Sequence, residues 1–252
     1  MLYISGMTHM KNIRELAFFC NTIKNAHWDV IANLESLEEL SFTHCKFVDR
    51  PADEDHGKRL KVKVPCLRMT RCNGVAQLTA AIDALHLRTL TMGFQSAANQ
   101  ADWLSKTSLT DLYLNDIFVA AVDGDEKMKY ILGKIPQSIQ VMMVPINTPG
   151  TGLFGDLVWQ NMPLLRSLTL KAMDLFPGIT AAHMICESIR VHRGLQSFTL
   201  NAWPGHIGLT VSAAEVQHMV QEQLGNLSEL NFVDICGTAV RLVDGKWIDV
   251  AK

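Results

Sequence analysis

The sequence predicts an α/β chain in which short parallel strands alternate with helical or irregular return segments. The chain would wind into a curved solenoid, its sheet lining a concave face and its returns covering a convex one. Three observations predict this. An apolar pattern of constant shape recurs nine times, and the segments between copies carry one-faced helical stripes. The composition, 48% hydrophobic and 19% charged over 252 residues, suits a chain that buries a core.

The pattern is L-x-x-L-x-L-x-x-N/C-x-L. Ile13, Leu16, Phe18, Asn21 and Ile23 fill it, and Leu37, Leu40, Phe42, Cys45 and Phe47 fill it again. It recurs at Val64-Leu67-Met69 with Cys72, at Leu87-Leu90-Met92, at Leu109-Leu112-Leu114, and at Ile139-Met142-Val144 with Asn147. Leu165-Leu168-Leu170, Leu195-Phe198-Leu200 and Leu227-Leu230-Phe232 complete the nine. First positions are 24, 27, 23, 22, 30, 26, 30 and 32 residues apart, a period of single supersecondary units.

Within each copy, positions 4 and 6 alternate with their neighbours as the two faces of a strand must, so these two point inward and positions 3, 5 and 7 point out. The chain then has to turn away. At position 9 a polar side chain on that turn satisfies backbone groups that would otherwise be buried and unpaired. Asn21, Cys45, Cys72 and Asn147 fit that role, whereas Gln95, Ile117, Met173, Trp203 and Ile235 predict less regular turns in the other copies.

Helices are expected between copies. After Asn73, a candidate N-cap, Val75, Leu78, Ile82 and Leu85 make one stripe, and Ile179, Ala182, Cys186 and Ile189 make another that ends by Gly194. Ser212-Ala213-Ala214-Glu215 is a capping box leading into Val216, Met219, Val220 and Leu224, with Gly225 as the stop. Asp244-Gly245, flanked by Ala239–Val243 and Lys246–Val250, reads as a hairpin with a type I′ turn that caps the last copy over 239–250. Leu2, Ile4 and Met7 resemble the tail of a further copy. The first strand is then uncapped, as in a fragment or in a subunit whose N-terminal edge another chain covers.

A net charge of −2 argues against nucleic acid as a partner, and no apolar run approaches the roughly 18 residues that span a membrane. Six cysteines without a C-x-x-C pair, behind an N-terminus with no secretory pattern, predict an intracellular, cytoplasmic protein with reduced thiols.

With these residues in view, the chain resembles a leucine-rich repeat protein over about 13–236, within a single domain of 1–252. Leu37–Asp49 resembles the cysteine-containing repeats of F-box adaptors, and the longer C-terminal copies resemble the ribonuclease-inhibitor type. The resemblance implies a horseshoe that binds protein on its concave sheet, and it implies no chemistry. No F-box precedes residue 13, so a ubiquitin-ligase role would need that element elsewhere.

The constellations that suggest chemistry are weak on their own terms. Gly150-x-Gly152-x-x-Gly155, followed by Asp174, has the dinucleotide spacing. Pro163, however, leaves only 156–162 for the helix that must meet the pyrophosphate. Cys45 with Arg50, and Cys66 with Arg71, are each one residue short of the phosphatase loop they resemble. His183, Cys186 and His192 are badly spaced as metal ligands, and Asp123-Gly124-Asp125-Glu126 lacks the later Glu of a calcium loop. No catalytic residue, cofactor or metal is therefore expected.

The concave face remains. Its predicted residues are mostly small and polar, with two departures. Tyr113, Val141 and Met143 make an apolar and aromatic spot suited to a protein contact. Arg68 and Arg71 make a basic point between Glu15 and Glu39, with Phe19 at the end of the first strand. The function expected is recognition of a protein partner. The alternatives are a structural subunit of a larger assembly and, less well supported, a nucleotide-dependent enzyme using 150–155.

Overall fold

The computed structural model describes residues 12–48, 60–115, 124–146, 162–172, 179–190, 192–202 and 211–250. The chain is mixed α/β and forms two compact units, 1–109 and 110–252. Among the described residues no helix is long and apolar enough to cross a membrane.

In the first unit the strands β1 (Glu15–Phe19), β3 (Glu39–Thr43), β5 (Cys66–Thr70) and β6 (Thr89–Met92) lie side by side and parallel. Their pairing follows the sequence pattern: Leu16 stands beside Leu40, Leu40 beside Leu67, and Leu67 beside Leu90. Leu40, Leu67 and Leu90 are fully buried, as are Phe42, Met69 and Met92 two residues on; Leu16, on the edge strand, is half-buried. Under the first strands an aromatic cluster fills the core. Phe18 stacks on Phe42 at 5.3 Å, and Phe42 meets Phe47 edge-on at 5.0 Å and Trp28 at 5.6 Å.

The turns after β1, β3 and β5 share one construction. Cys20, His44 and Arg71, all at position 8, take φ of 52°, 54° and 52°. At position 9 the Asn21 amide donates to the Phe19 carbonyl at 2.7 Å, the Cys45 thiol to Phe18 and Thr43, and the Cys72 thiol to Phe42 and Thr70. A side chain at position 9 thus donates to carbonyls at the end of the strand it follows, where the pattern expects a polar group. The chain then forms a second parallel ladder, β2 (Thr22–Ile23) with β4 (Lys46–Phe47), continued by Lys46 beside Asn73. That ladder corrects one expectation. Asn73 is held as a strand residue, its carbonyl accepting from Phe47 N–H and its N–H bonded to Cys45. The cap of α2 (Val75–Ala81) therefore falls to Gly74 at φ +78°, where a Cβ would lie 2.3 Å from the Phe47 carbonyl oxygen. The helix is also shorter than its stripe: Ile82 is extended and pairs with Val62, and Leu85 is exposed. Helices α1 (Asn25–Ile31), α3 (Phe94–Asn99) and α4 (Ala101–Leu104) make the other returns of this unit.

In the second unit β7 (Asp111–Leu114), β8 (Val141–Ile146), β9 (Ser167–Ala172), β10 (Ser197–Ala202) and β11 (Phe232–Ile235) are parallel, and β12 (Thr238–Val243) and β13 (Lys246–Asp249) add antiparallel. Leu112, Met142, Leu168 and Phe198 stand in one buried row. The ninth copy departs from its expected alignment. Phe198 pairs with Val233 and Leu200 with Ile235, so Leu230, Val233 and Ile235 occupy the inward positions, and Phe232 lies on the open face. The backbone agrees. In copy after copy, the N–H groups of positions 2 and 3 both donate to the position 2 carbonyl of the preceding copy. Gln140 and Val141 donate to Thr110, Arg166 and Ser167 to Gln140, Gln196 and Ser197 to Arg166, and then Asn231 and Phe232 to Gln196. The expected placement is therefore wrong by three residues, one extra turn of chain around Leu227 before the strand begins.

Both hairpins after β11 are tight. Cys236 and Gly237 have φ of 53° and 87°, and Asp244 and Gly245 have 50° and 76°, the two-residue turns whose twist suits adjoining strands. The hairpin expected at Asp244-Gly245 is present. The return helices are α5 (Gly124–Leu132), α6 (Ile179–Ile189) and α7 (Ala213–Met219), which runs on as a π-turn over Val220–Leu224. The expected capping box is formed. Glu215 N–H donates to the Ser212 hydroxyl at 3.3 Å and Ser212 N–H to the Glu215 carboxylate at 2.8 Å, which holds that carboxyl below its ordinary range. Ala182, Cys186 and Ile189 are buried as expected, but α6 stops at Ile189, five residues before Gly194.

Candidate protein-binding surfaces

The open face of the second unit is built by register. Asp111 pairs with Val141 and Tyr113 with Met143, which sets one aromatic and two apolar side chains on adjacent strands of one face, about 4.8 Å apart across the ladder. All three are half-buried. The rows continue through Ser167 and Ser197 to Phe232, and through Thr169 and Thr199 to Asp234. Past Met143 these two rows are small and hydroxylated as far as Phe232, whose ring lies under the Arg241 guanidinium at 5.8 Å, while Lys171 and Asn201 stand at the ends of β9 and β10 on the same face. With Leu227 at position 1 the pattern puts Glu229, Asn231 and Val233 at the outward positions 3, 5 and 7; the three-residue shift puts Phe232 and Asp234 there instead. Pro145, expected beside Met143 on the face, is buried.

On the first unit, Arg68 is not a free basic point. Its guanidinium bonds both Glu39 carboxylate oxygens, at 3.0 and 3.2 Å, from the neighbouring strand. A hydrogen bond with Cys66 and the Glu39 charge push its pKa up. The pair neutralises the charge that was expected to draw a partner. Cys66 lies in the same group, its thiol 3.9 Å from Glu39 and pushed up chiefly by burial, so it is a poor nucleophile. Arg71 is not on the sheet face but in the left-handed turn after β5, exposed. Phe19, 67% exposed, ends β1 on the open face. The six expected contact residues therefore form two groups, one on each unit.

The chemical constellations do not assemble where the structure describes them. Cys45 is 1% exposed and spends its thiol hydrogen on carbonyls. Cys186 touches Met219 Sδ at 3.5 Å, and burial pushes its thiol up to about 12. His192 is buried with Nε2 against the Met162 carbonyl at 2.8 Å, and His183 accepts from Gln223. Among the described residues no three His, Cys, Asp or Glu side chains converge as metal ligands. Gly124 begins a helix, and Glu126 pairs with Lys129 at 3.1 Å. Arg50, the 150–155 glycines and Asp174 lie outside the described residues.

No protein-family model matches the chain, and no curated protein is similar to it in sequence.

Proposed function

We propose that this chain is a leucine-rich repeat protein, one solenoid domain over 1–252, that acts without catalysis as a recognition module. It binds a protein partner through the face carrying Tyr113, Val141 and Met143. The observation that carries this reading is the register of β7 and β8, which groups those side chains on one face, with Ser167 and Thr169 beside them on the next strand. An aromatic and apolar anchor ringed by small polar groups is the arrangement in which a few residues supply most of an interface's energy. Supporting the repeat assignment are the recurring position 2 and 3 hydrogen bonds and the Asn/Cys ladder at position 9.

The test uses the wild-type chain and Tyr113→Ala/Met143→Asp as parallel baits for quantitative affinity purification from the native cell. The double change is expected to weaken the main partner by about 2 kcal/mol or more, roughly thirtyfold, with the melting temperature nearly unchanged. A partner held equally by both baits at fixed stoichiometry would move the interface to strand edges or return helices and favour the structural-subunit role.

A further inference from the structure

A second surface is formed where β1, β3 and β5 end, in the first unit, and it is independent of the face just discussed. Phe19, Thr43 and Thr70 pair in one row, so the residues after them, Cys20, His44 and Arg71, stand side by side. Each adopts φ near +50°, a conformation that glycine accepts freely and that crowds any residue with a Cβ. The hydrogen bonds that hold these turns come from Asn21, Cys45 and Cys72, one position later. The fold therefore demands the backbone conformation at position 8 but not the side chains found there, and strain of this kind gathers at working sites.

What those side chains present is specific. The Phe19 ring, 67% exposed, meets His44 edge-on at 5.9 Å. Arg71 and Lys46 are exposed on the same rim, and neither forms an ion pair among the described residues, whereas Arg68, one row further in, is already paired with Glu39. The rim thus combines one exposed aromatic anchor with an imidazole and two exposed cations that make no ion pair among the described residues. We infer that it binds an acidic peptide segment, with carboxylates on Arg71 and Lys46 and an apolar side chain against Phe19 and His44. Nucleic acid fits less well. Binders of duplex DNA that depend on phosphates neutralise about six to ten of them, and among the described residues this rim has two fixed cations, on a chain of net charge −2.

The experiment pans a phage-displayed library of random peptides against the folded full chain. Synthetic versions of the selected peptides, and a labelled oligothymidylate, are then titrated by fluorescence anisotropy against wild type, Arg71→Gly, Lys46→Gln and Phe19→Ala. Arg71→Gly is the decisive variant, because glycine relieves the φ of +52° while removing the cation, so lost binding cannot be assigned to lost folding. The expected result is a set of peptides rich in Asp and Glu around one bulky apolar residue. Their affinity should fall about tenfold or more on Arg71→Gly, with a melting temperature equal to or above wild type, and fall again as salt rises from about 50 to about 300 mM. The inference is overturned by an empty selection, by peptides without acidic enrichment, by affinity that survives Arg71→Gly, or by tighter binding of the oligothymidylate.

Discussion

The placement of the ninth strand can be tested with two neighbouring residues whose roles are opposite in the two alignments. Val233 is fully buried, between Phe198 on β10 and Val240 on β12, while Phe232 is half-buried on the open face beneath Arg241. Val233→Ala removes two buried carbons, about 1.6 kcal/mol at about 0.8 per methylene. The cavity left between two tightly paired strands brings the cost to about 2 to 3 kcal/mol. Phe232→Ala gives up a cation–π contact and partial burial, about 1 kcal/mol in all. With the alignment read from the pattern alone the order reverses, since a buried Phe→Ala costs about 3 to 5 kcal/mol and an exposed Val→Ala almost nothing. Urea titrations of wild type and both variants, followed by circular dichroism and tryptophan fluorescence, give the two differences at constant slope. A second pair sharpens the contrast. Phe232→Glu, opposite Arg241, should fold with near wild-type stability, and Val233→Asp should not fold at all. A larger loss from Phe232→Ala than from Val233→Ala, or a folded Val233→Asp, would refute the three-residue shift.

Two further outcomes follow from the same rows. Leu112→Ala and Leu168→Ala, both inward and fully buried, should each destabilise by about 2 to 5 kcal/mol, and Thr169→Ala, half-exposed beside Met143 and Thr199, by less than about 1 kcal/mol; equal losses in urea would mean that the faces of β9 are misassigned. All six thiols are free, so alkylation under denaturing, non-reducing conditions should add six labels by mass. In the native protein at mild alkaline pH, exposed Cys20 should react, while Cys45, buried, and Cys186, buried with its thiol near 12, should not. Labelling of Cys186 at the rate of Cys20 would contradict the burial of the α6 stripe.

Much of the architecture was legible in the residues because the pattern is local and repeated. Spacings of three and two between apolar positions determine which side chains of a strand share a face, and eight of the nine copies stand where those spacings put them. The capping box at Ser212 and the Asp244-Gly245 turn were equally local, since each needs only residues within four positions of one another. The ninth copy was ambiguous because Leu227, Leu230, Phe232, Val233 and Ile235 satisfy the same template in two alignments three apart. Tertiary pairing decided between them: the antiparallel return of β12 from the Cys236-Gly237 turn puts Val240 against Val233, both fully buried, and sets Arg241 beside Phe232 on the open face. Asn73 failed as a cap for a similar reason, its backbone being claimed by a ladder formed with Phe47 and Cys45, about 26 residues earlier. The candidate surfaces divide the same way. Tyr113, Val141 and Met143 could be grouped from position numbers, because parallel in-register strands carry equal positions side by side. That Arg68 is neutralised by Glu39, while Arg71 is carried out of the face by a left-handed turn, depends on distances between strands and on a backbone angle that residue order does not specify.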